Sequence, residues 1–88
     1  MGTVKQFSYV LTNQNALQSR PIGNLMREAS RFSSRVSVAN GSRAAGLKEL
    51  RDLMGLNMQC GNLVTVTVEG KDEEAAVAAI LNYFVENL

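Results

Sequence analysis

The sequence predicts an α+β fold in which one antiparallel sheet carries its helices on a single face. Apolar residues switch between the two-residue period of strands and the longer period of helices, in the order β-α-β-β-α-β-α. Asn40-Gly41 is typical of a hairpin turn between neighbouring strands, and residues 64–68 alternate strictly between valine and threonine. Four strands interleaved with three helices indicate an open-faced β-sandwich.

The first strand and the first helix are predicted from residue type and spacing. Residues 3–11 are rich in β-branched and aromatic residues, and their apolar positions Phe7, Tyr9 and Leu11 alternate as in a half-buried strand. A helix is expected from Ser19 to Phe32, because Pro21 suits a first turn where its missing N–H costs little. Its apolar stripe consists of Ile22, Leu25, Met26, Ala29 and Phe32.

The middle of the chain predicts a hairpin followed by a short helix. Residues 35–38 alternate as a second strand, and Asn40-Gly41 favours a type I′ turn, which needs positive φ at both central positions. A third strand is expected over 42–45. Leu47, Leu50 and Met54 have helical spacing, which predicts a helix over 47–56.

The last quarter predicts a strand and a long helix. Residues 63–68 place three valines inward and two threonines outward, and Gly70 ends the strand. Negative charge at residues 72–74 suits the first turn of a helix. The apolar face expected for that helix comprises Val77, Ile80, Leu81, Phe84 and Leu88.

Length and composition restrict the classes of function. Eighty-eight residues predict one domain, 1–88, and a net charge of +1 argues against a general nucleic-acid binder. A single cysteine, Cys60, and the absence of histidine leave no disulfide, no metal-ligand cluster and no imidazole base. Since neither a leader nor a long apolar run is present, we expect a cytoplasmic protein without a membrane or metal partner and without a cofactor.

The start of the first helix is the candidate anion site. The amides and dipole of a helix N-terminus favour negative charge, and Arg20 adds a planar cation suited to phosphate. Gln18, Ser19 and Arg20 are therefore the anion or phosphate-binding candidates. Gln18 cannot itself accept a phosphoryl group, and the alternative is a loop whose side chains only cap the helix.

A second candidate is a docking surface on the first and second helices. Arg20, Arg27 and Arg31 share a helix face, and six arginines lie between Arg20 and Arg51. One short helix cannot bury all of its apolar residues, so some of them are expected to be exposed. The partner-docking candidates are Arg20, Arg27, Arg31, Leu50, Arg51 and Met54. The alternative is a solvated charged face beside an ordinary core.

The element order and several motifs resemble HPr, the histidine-containing phosphocarrier of the bacterial sugar phosphotransferase system. Residues 17–21, Leu-Gln-Ser-Arg-Pro, resemble the Leu-His-Ala-Arg-Pro signature of that family. Residues 28–32 resemble the end of its first helix, Asn40-Gly41 its hairpin, and residues 47–56 its regulatory helix. Residues 64–74 resemble its last strand and the acidic start of its last helix.

The resemblance implies that Gln18 stands where the family has its phosphoacceptor histidine, as in the Crh branch of regulatory paralogues. It implies that Arg20 matches the arginine that steadies the phosphoryl group. It also places Glu49, or Lys48 after a one-residue slip near Gly46, at the regulatory serine of the Gram-positive members. Neither residue can be phosphorylated by the kinase that acts on that serine.

These observations predict a non-catalytic, HPr-like regulatory or protein-interaction module, not an enzyme. Its expected partners are a phosphotransferase-system component, a transcription regulator or a metabolic enzyme, and a homodimer remains open. The alternative is an α+β domain that senses a small ligand or anion as an oligomer.

Overall fold

A computed structural model of the chain describes residues 4–12, 19–47 and 50–88, apart from the side chains of Ser19, Arg20 and Leu50. The element order β-α-β-β-α-β-α is confirmed. The elements are β1 (Val4–Val10), α1 (Ser19–Ser30), β2 (Arg35–Asn40), β3 (Arg43–Gly46), α2 (Leu50–Met54), β4 (Leu63–Glu69) and α3 (Glu73–Asn87). Within the described part of the chain, every helix is too short or too polar to cross a membrane.

The four strands form one antiparallel sheet in the order β1-β4-β2-β3. The most regular strand of the sequence, β4, is central, and Val66 pairs with Phe7 on one side and with Val38 on the other. Alternation along each strand then sends all these apolar side chains to one face. The opposite face is polar at the middle of β1 and β4, where Gln6 is bonded to Thr67 and Ser8 to Thr65, each at 3.0 Å. The strand ends carry the exposed side chains of Val4, Val10 and Leu63 on that face.

The core lies between the apolar sheet face and the helices. Phe84 of α3 is fully buried, and its ring packs edge-on against Phe7 and Tyr9 with centroids 5.6 and 5.7 Å away. The buried positions of α1 and α3 repeat at helical spacing, as an amphipathic helix on a sheet requires. They are Ile22, Leu25 and Ala29 in α1 and Ala76, Ile80 and Phe84 in α3. The open-faced sandwich expected from the sequence is confirmed.

The hairpin between β2 and β3 corrects the predicted turn by one residue. Asn40 belongs to β2 and pairs with Arg43, so the central turn positions are Gly41 and Ser42. Of these two residues, only Gly41 has a positive φ, at 64°. Positive φ at the first central position is the pattern of a type II′ turn, whereas the predicted type I′ turn at Asn40-Gly41 is wrong. The Asn40 side chain instead donates to the carbonyl oxygen of Leu56 at 3.0 Å.

The apolar face of α3 is also rotated from the predicted one. Leu81, expected in the core, is 39% exposed, whereas Glu73 and Ala76 are buried. The sequence pattern misled because α3 carries apolar residues on its outer side as well, with Val85 60% exposed. The remaining boundary differences are small. The first helix ends at Ser30 instead of Phe32, and the second ends at Met54, with Leu47 in a turn outside it.

Candidate functional site

The segment predicted to hold the phosphate-site residues is tied to the fold on both sides. Before it, the Thr12 amide donates to the Leu88 carbonyl at 2.8 Å, and Leu11 exchanges bonds with Asn62 and Gly61. After it, α1 begins at Ser19. Gln18 lies outside the described residues, as do the side chains of Ser19 and Arg20, so their predicted roles remain predictions.

The start of α1 is fastened to α3 through a tyrosine. The Tyr83 hydroxyl donates to the Pro21 carbonyl oxygen at 2.6 Å. Burial raises the pKa of Tyr83 above its ordinary value of 10.0, and the charge of Glu28 adds to this shift. The phenol therefore stays protonated as a donor. This bond was not predictable from the sequence, because a pattern of apolar positions does not reveal where a single hydroxyl points.

Arg27 lies in α1 and Arg31 directly follows it, and the two side chains make different contacts. Arg31 donates to Glu28 at 2.8 Å, and its guanidinium carbon lies 6.0 Å from the Phe32 ring centroid. Arg27 is exposed and lines a groove at the end of α1. An arginine that already forms an ion pair must give up that pair to bind a partner. Arg27 is therefore the more available cation of the two.

The apolar residues of α2 and of the loop that follows it differ in their exposure. Leu53 is 1% exposed, and Leu56 and Met58 are buried with it, whereas Met54 is 43% exposed. Arg51 precedes Met54 on α2 and is also exposed. The Leu50 side chain lies outside the described residues. Because α2 packs against α1, these exposed groups belong to the same helical layer as Arg27.

An open groove lies at the far end of α1 from Gln18, between the helix and the strand ends. Arg27, Arg35 and Lys71 line it together with Asp52 and Glu69. The sequence did not predict this groove, since its walls come from segments far apart in the chain. Its lining contains charges of both signs, so it lacks the concentrated positive potential that an anion site needs.

Next to this groove, the carboxylate of Asp72 connects the start of α3 to the loop after α1. Asp72 accepts the Ser33 and Ser34 amides, each at 2.9 Å, and also the Ser34 hydroxyl. The Ser34 hydroxyl and the Ser33 amide lower the pKa of Asp72 below its ordinary value of 3.8. Beside it, a Cβ on Gly70 would stand 2.6 Å from the Ser34 Cα. Asp72, which is the N-cap residue of α3, therefore also has a structural role between the two loops.

The described residues contain no group of three or more histidine, cysteine, aspartate or glutamate side chains placed to hold a metal ion. Cys60 is exposed, with its sulfur 3.5 Å from the Thr12 carbonyl oxygen. The candidate site thus consists of a helix start that is bonded to α3 and of exposed cationic and apolar side chains on α1 and α2.

The chain is similar to known proteins along most of its length. The family model described as the PTS HPr component phosphorylation site matches residues 5–86. The phosphocarrier protein HPr of Haemophilus influenzae is 36% identical over 63 residues, covering 72% of this chain and 74% of that protein.

Two solved structures share the fold. HPr from Bacillus anthracis superposes with a TM-score of 0.85 at 28% identity, covering 92% of this chain and 96% of that one. Crh from Bacillus subtilis, whose crystal structure reveals a domain-swapped dimer, superposes at 0.74 with 31% identity, covering 81% and 82%. The chain belongs to the HPr family of the phosphotransferase system.

Proposed function

We propose that this chain is an HPr-family protein that cannot carry a phosphoryl group and acts as a regulatory or protein-interaction module. The observation that carries the proposal is the absence of histidine from all 88 residues. Gln18 precedes Ser19-Arg20-Pro21 at the place where the family resemblance puts the phosphoacceptor. A carboxamide nitrogen has no lone pair basic enough to attack a phosphoryl donor.

The proposed binding surface combines the start of α1 with the exposed side of α2. We define this docking surface as Arg20, Arg27, Arg31, Leu50, Arg51 and Met54. Support comes from the exposure of Arg27, Arg51 and Met54, and from the Tyr83–Pro21 bond that steadies the helix start. A cationic rim around an apolar side chain suits a partner with acidic groups around a shallow apolar depression.

We further propose that binding is not switched by serine phosphorylation. Glu49 or Lys48 stands at the regulatory serine position of the resemblance, and both lie outside the described residues. A glutamate there supplies one fixed negative charge, against almost two for phosphoserine. The partner, a phosphotransferase-system component, a transcription regulator or a metabolic enzyme, would then be bound without a preceding kinase step.

Phosphoryl transfer from labelled phosphoenolpyruvate through Enzyme I tests this proposal. The wild-type chain is expected to stay unlabelled, and Gln18→His is expected to gain label if the docking surface still receives Enzyme I. Asn24→His, which places histidine at an exposed position further along α1, is the matched control and should stay unlabelled. Labelling of the wild type would overturn the proposal.

The alternative function is that of an anion sensor, and it is favoured by the fixed position of the helix start beside Arg20. Inorganic phosphate would then raise the melting temperature of the wild type but not that of Arg20→Ala. Equal shifts for both proteins, or no shift for either, would exclude this alternative.

A further inference from the structure

Among the residues that the structure describes, no strand pairs with the outer edge of β1. β1 is the first strand in the sheet order and, among the described residues, pairs with β4 alone. Such an edge presents a row of main-chain N–H and C=O groups that another strand can pair with. At seven residues, β1 is longer than β3, the four-residue strand at the opposite edge.

The usual protections against edge pairing are weak on β1. The strand contains no proline, and its one charged residue, Lys5, lies 4.0 Å from the carboxylate of Glu74. Its first and last residues are exposed valines, with Val4 at 54% and Val10 at 48%. An exposed, regular edge with apolar ends is a surface that natural proteins normally cover.

An apolar flank of α3 lies on the same side of the molecule. The Tyr83 hydroxyl reaches Pro21, which identifies the flank of α3 that faces α1. Glu74 reaches Lys5, which identifies the flank that faces β1. Leu81 follows Glu74 by seven residues, two helical turns, and therefore lies on the β1 flank, with Val85 one turn further.

Together these features point to a second copy of this chain as the occupant. We propose that two copies associate through their β1 edges about a two-fold axis at Phe7, with the α3 flanks packed together above the joined sheet. In this antiparallel register Val4 lies opposite Val10 of the second copy, and Gln6 lies opposite Ser8. The exposed valines then cover each other in self-complementary pairs, as a two-fold interface requires.

The spacing of the helices supports the same arrangement. Because α3 packs on both β1 and β4, its axis lies above that pair of strands. With neighbouring strands about 4.8 Å apart, joining two β1 edges brings the two α3 axes to about 10 Å. Packed helices prefer separations of about 8–10 Å. The strand pairing and the helix pairing can therefore form together.

Charge does not oppose this association. The flank contains Glu74, Val77, Ala78, Leu81 and Val85, and its single carboxylate is the one next to Lys5. α3 runs in the same direction as β1, since Glu74 meets Lys5 and Leu88 meets Thr12. The two-fold axis at Phe7 therefore places Glu74 towards Leu81 of the second copy and not beside another Glu74. The docking surface on α1 and α2 stays free, so the dimer does not depend on the proposed function.

Sedimentation over a micromolar to millimolar concentration series tests the dimer. The wild type is expected to shift from monomer to dimer, whereas Leu81→Glu and Ala78→Glu are expected to remain monomers. Leu81→Glu places a carboxylate beside Glu74 of the second copy, and Ala78→Glu places two carboxylates together near the two-fold axis. Both positions are solvent-accessible, so the fold is retained. Ala44→Glu, at an exposed site on the opposite edge strand β3, is the matched control and should dimerise like the wild type. A wild type that stays monomeric, or dimers indifferent to Leu81→Glu, would overturn the proposal.

Disulfide trapping in a Cys60→Ser background tests the register and distinguishes this dimer from strand exchange. Mixing Gln6→Cys protein with Ser8→Cys protein should give crosslinked heterodimers, because opposite residues of an antiparallel pair lie within disulfide range. In a single chain carrying Gln6→Cys and Thr67→Cys, which are register partners at β1 and β4, the disulfide should form within the chain. A disulfide between chains in that double variant would mean that β1 has been exchanged and would refute the edge-paired dimer.

Discussion

The hydroxyl of Tyr83 donates to the carbonyl oxygen of Pro21 across 2.6 Å and so links the last helix to the first turn of α1. The two residues are 62 positions apart in sequence. The bond fixes where α1 begins, and the predicted phosphate-site residues Gln18, Ser19 and Arg20 stand at that beginning. Tyr83 therefore positions the start of α1 without being part of the proposed docking surface.

Removing this hydroxyl should destabilise the protein modestly. Tyr83→Phe keeps the ring but deletes one partly buried hydrogen bond, which costs about 1 kcal/mol. Urea unfolding should show a lower midpoint with an unchanged m-value. An unchanged midpoint would mean that the bond contributes nothing to stability.

The raised pKa of Tyr83 predicts that the protein loses stability in alkali. Because the folded-state pKa of Tyr83 is raised, its contribution is fully present below the unfolded value near 10.0 and is lost as pH rises through the folded value. The wild type should therefore lose melting temperature above pH 10 more steeply than Tyr83→Phe. Parallel curves for the two proteins would contradict this assignment.

The lowered pKa of Asp72 predicts that the protein loses stability in acid. Its folded-state pKa is lowered, so its contribution is present above the unfolded value near 3.8 and is lost as pH falls through the folded value. Asp72→Asn should lower the melting temperature at neutral pH and flatten its decline in acid. Asp52→Asn, at an exposed aspartate of α2, serves as the control and should melt much like the wild type.

Two glycines should respond to alanine with opposite signs. Gly70→Ala would bring a Cβ to 2.6 Å from the Ser34 Cα, and overpacking of this kind costs about 1–3 kcal/mol. Gly23 lies inside α1 with no atom of another element within 4 Å of its would-be Cβ. Gly23→Ala should therefore stabilise the protein by about 1 kcal/mol through helix propensity. Equilibrium unfolding measures the change in stability of both variants. If both were stabilised, or both destabilised, the space around each glycine would not decide the effect of the substitution.

The exposed arginines predict unequal effects on docking. In the Gln18→His background, Arg27→Ala should lower kcat/KM for phosphoryl transfer from Enzyme I about two- to fivefold, the range expected for one exposed ion pair. Arg31→Ala should have a smaller effect, because Arg31 already donates to Glu28 at 2.8 Å. A larger effect at Arg31 would place the docking surface further towards the end of α1 than proposed.

The fold was predictable because each strand and helix has its own apolar period, as the valines of β4 illustrate. The rotation of α3 was not, because Leu81 and Val85 are apolar without being buried. The turn shifted by one residue because Asn40 is held by Leu56, a contact across 16 positions that local turn preferences do not include. Likewise, the bonds of Tyr83 and Asp72 join distant segments, and no local pattern encodes them.

The assignment of Gln18 to the phosphoacceptor position rests on the neighbouring Arg20-Pro21 and on the family resemblance. It stays a prediction, because Gln18 lies outside the described residues. The exposure of Met54 was predictable as well, because a helix as short as α2 cannot bury every apolar side chain. The sequence could not show that Arg31 is paired with Glu28 whereas Arg27 is exposed along the groove, because both arginines have helical spacing and equal charge.

Intact-protein mass spectrometry of the wild type, after incubation with Enzyme I and phosphoenolpyruvate, tests whether this HPr-family chain carries phosphate. An authentic HPr is phosphorylated in the same mixture as the positive control. We expect HPr to gain one phosphoryl group while this chain keeps its original mass. A phosphoryl group on this chain, dependent on Enzyme I, would overturn the proposed function.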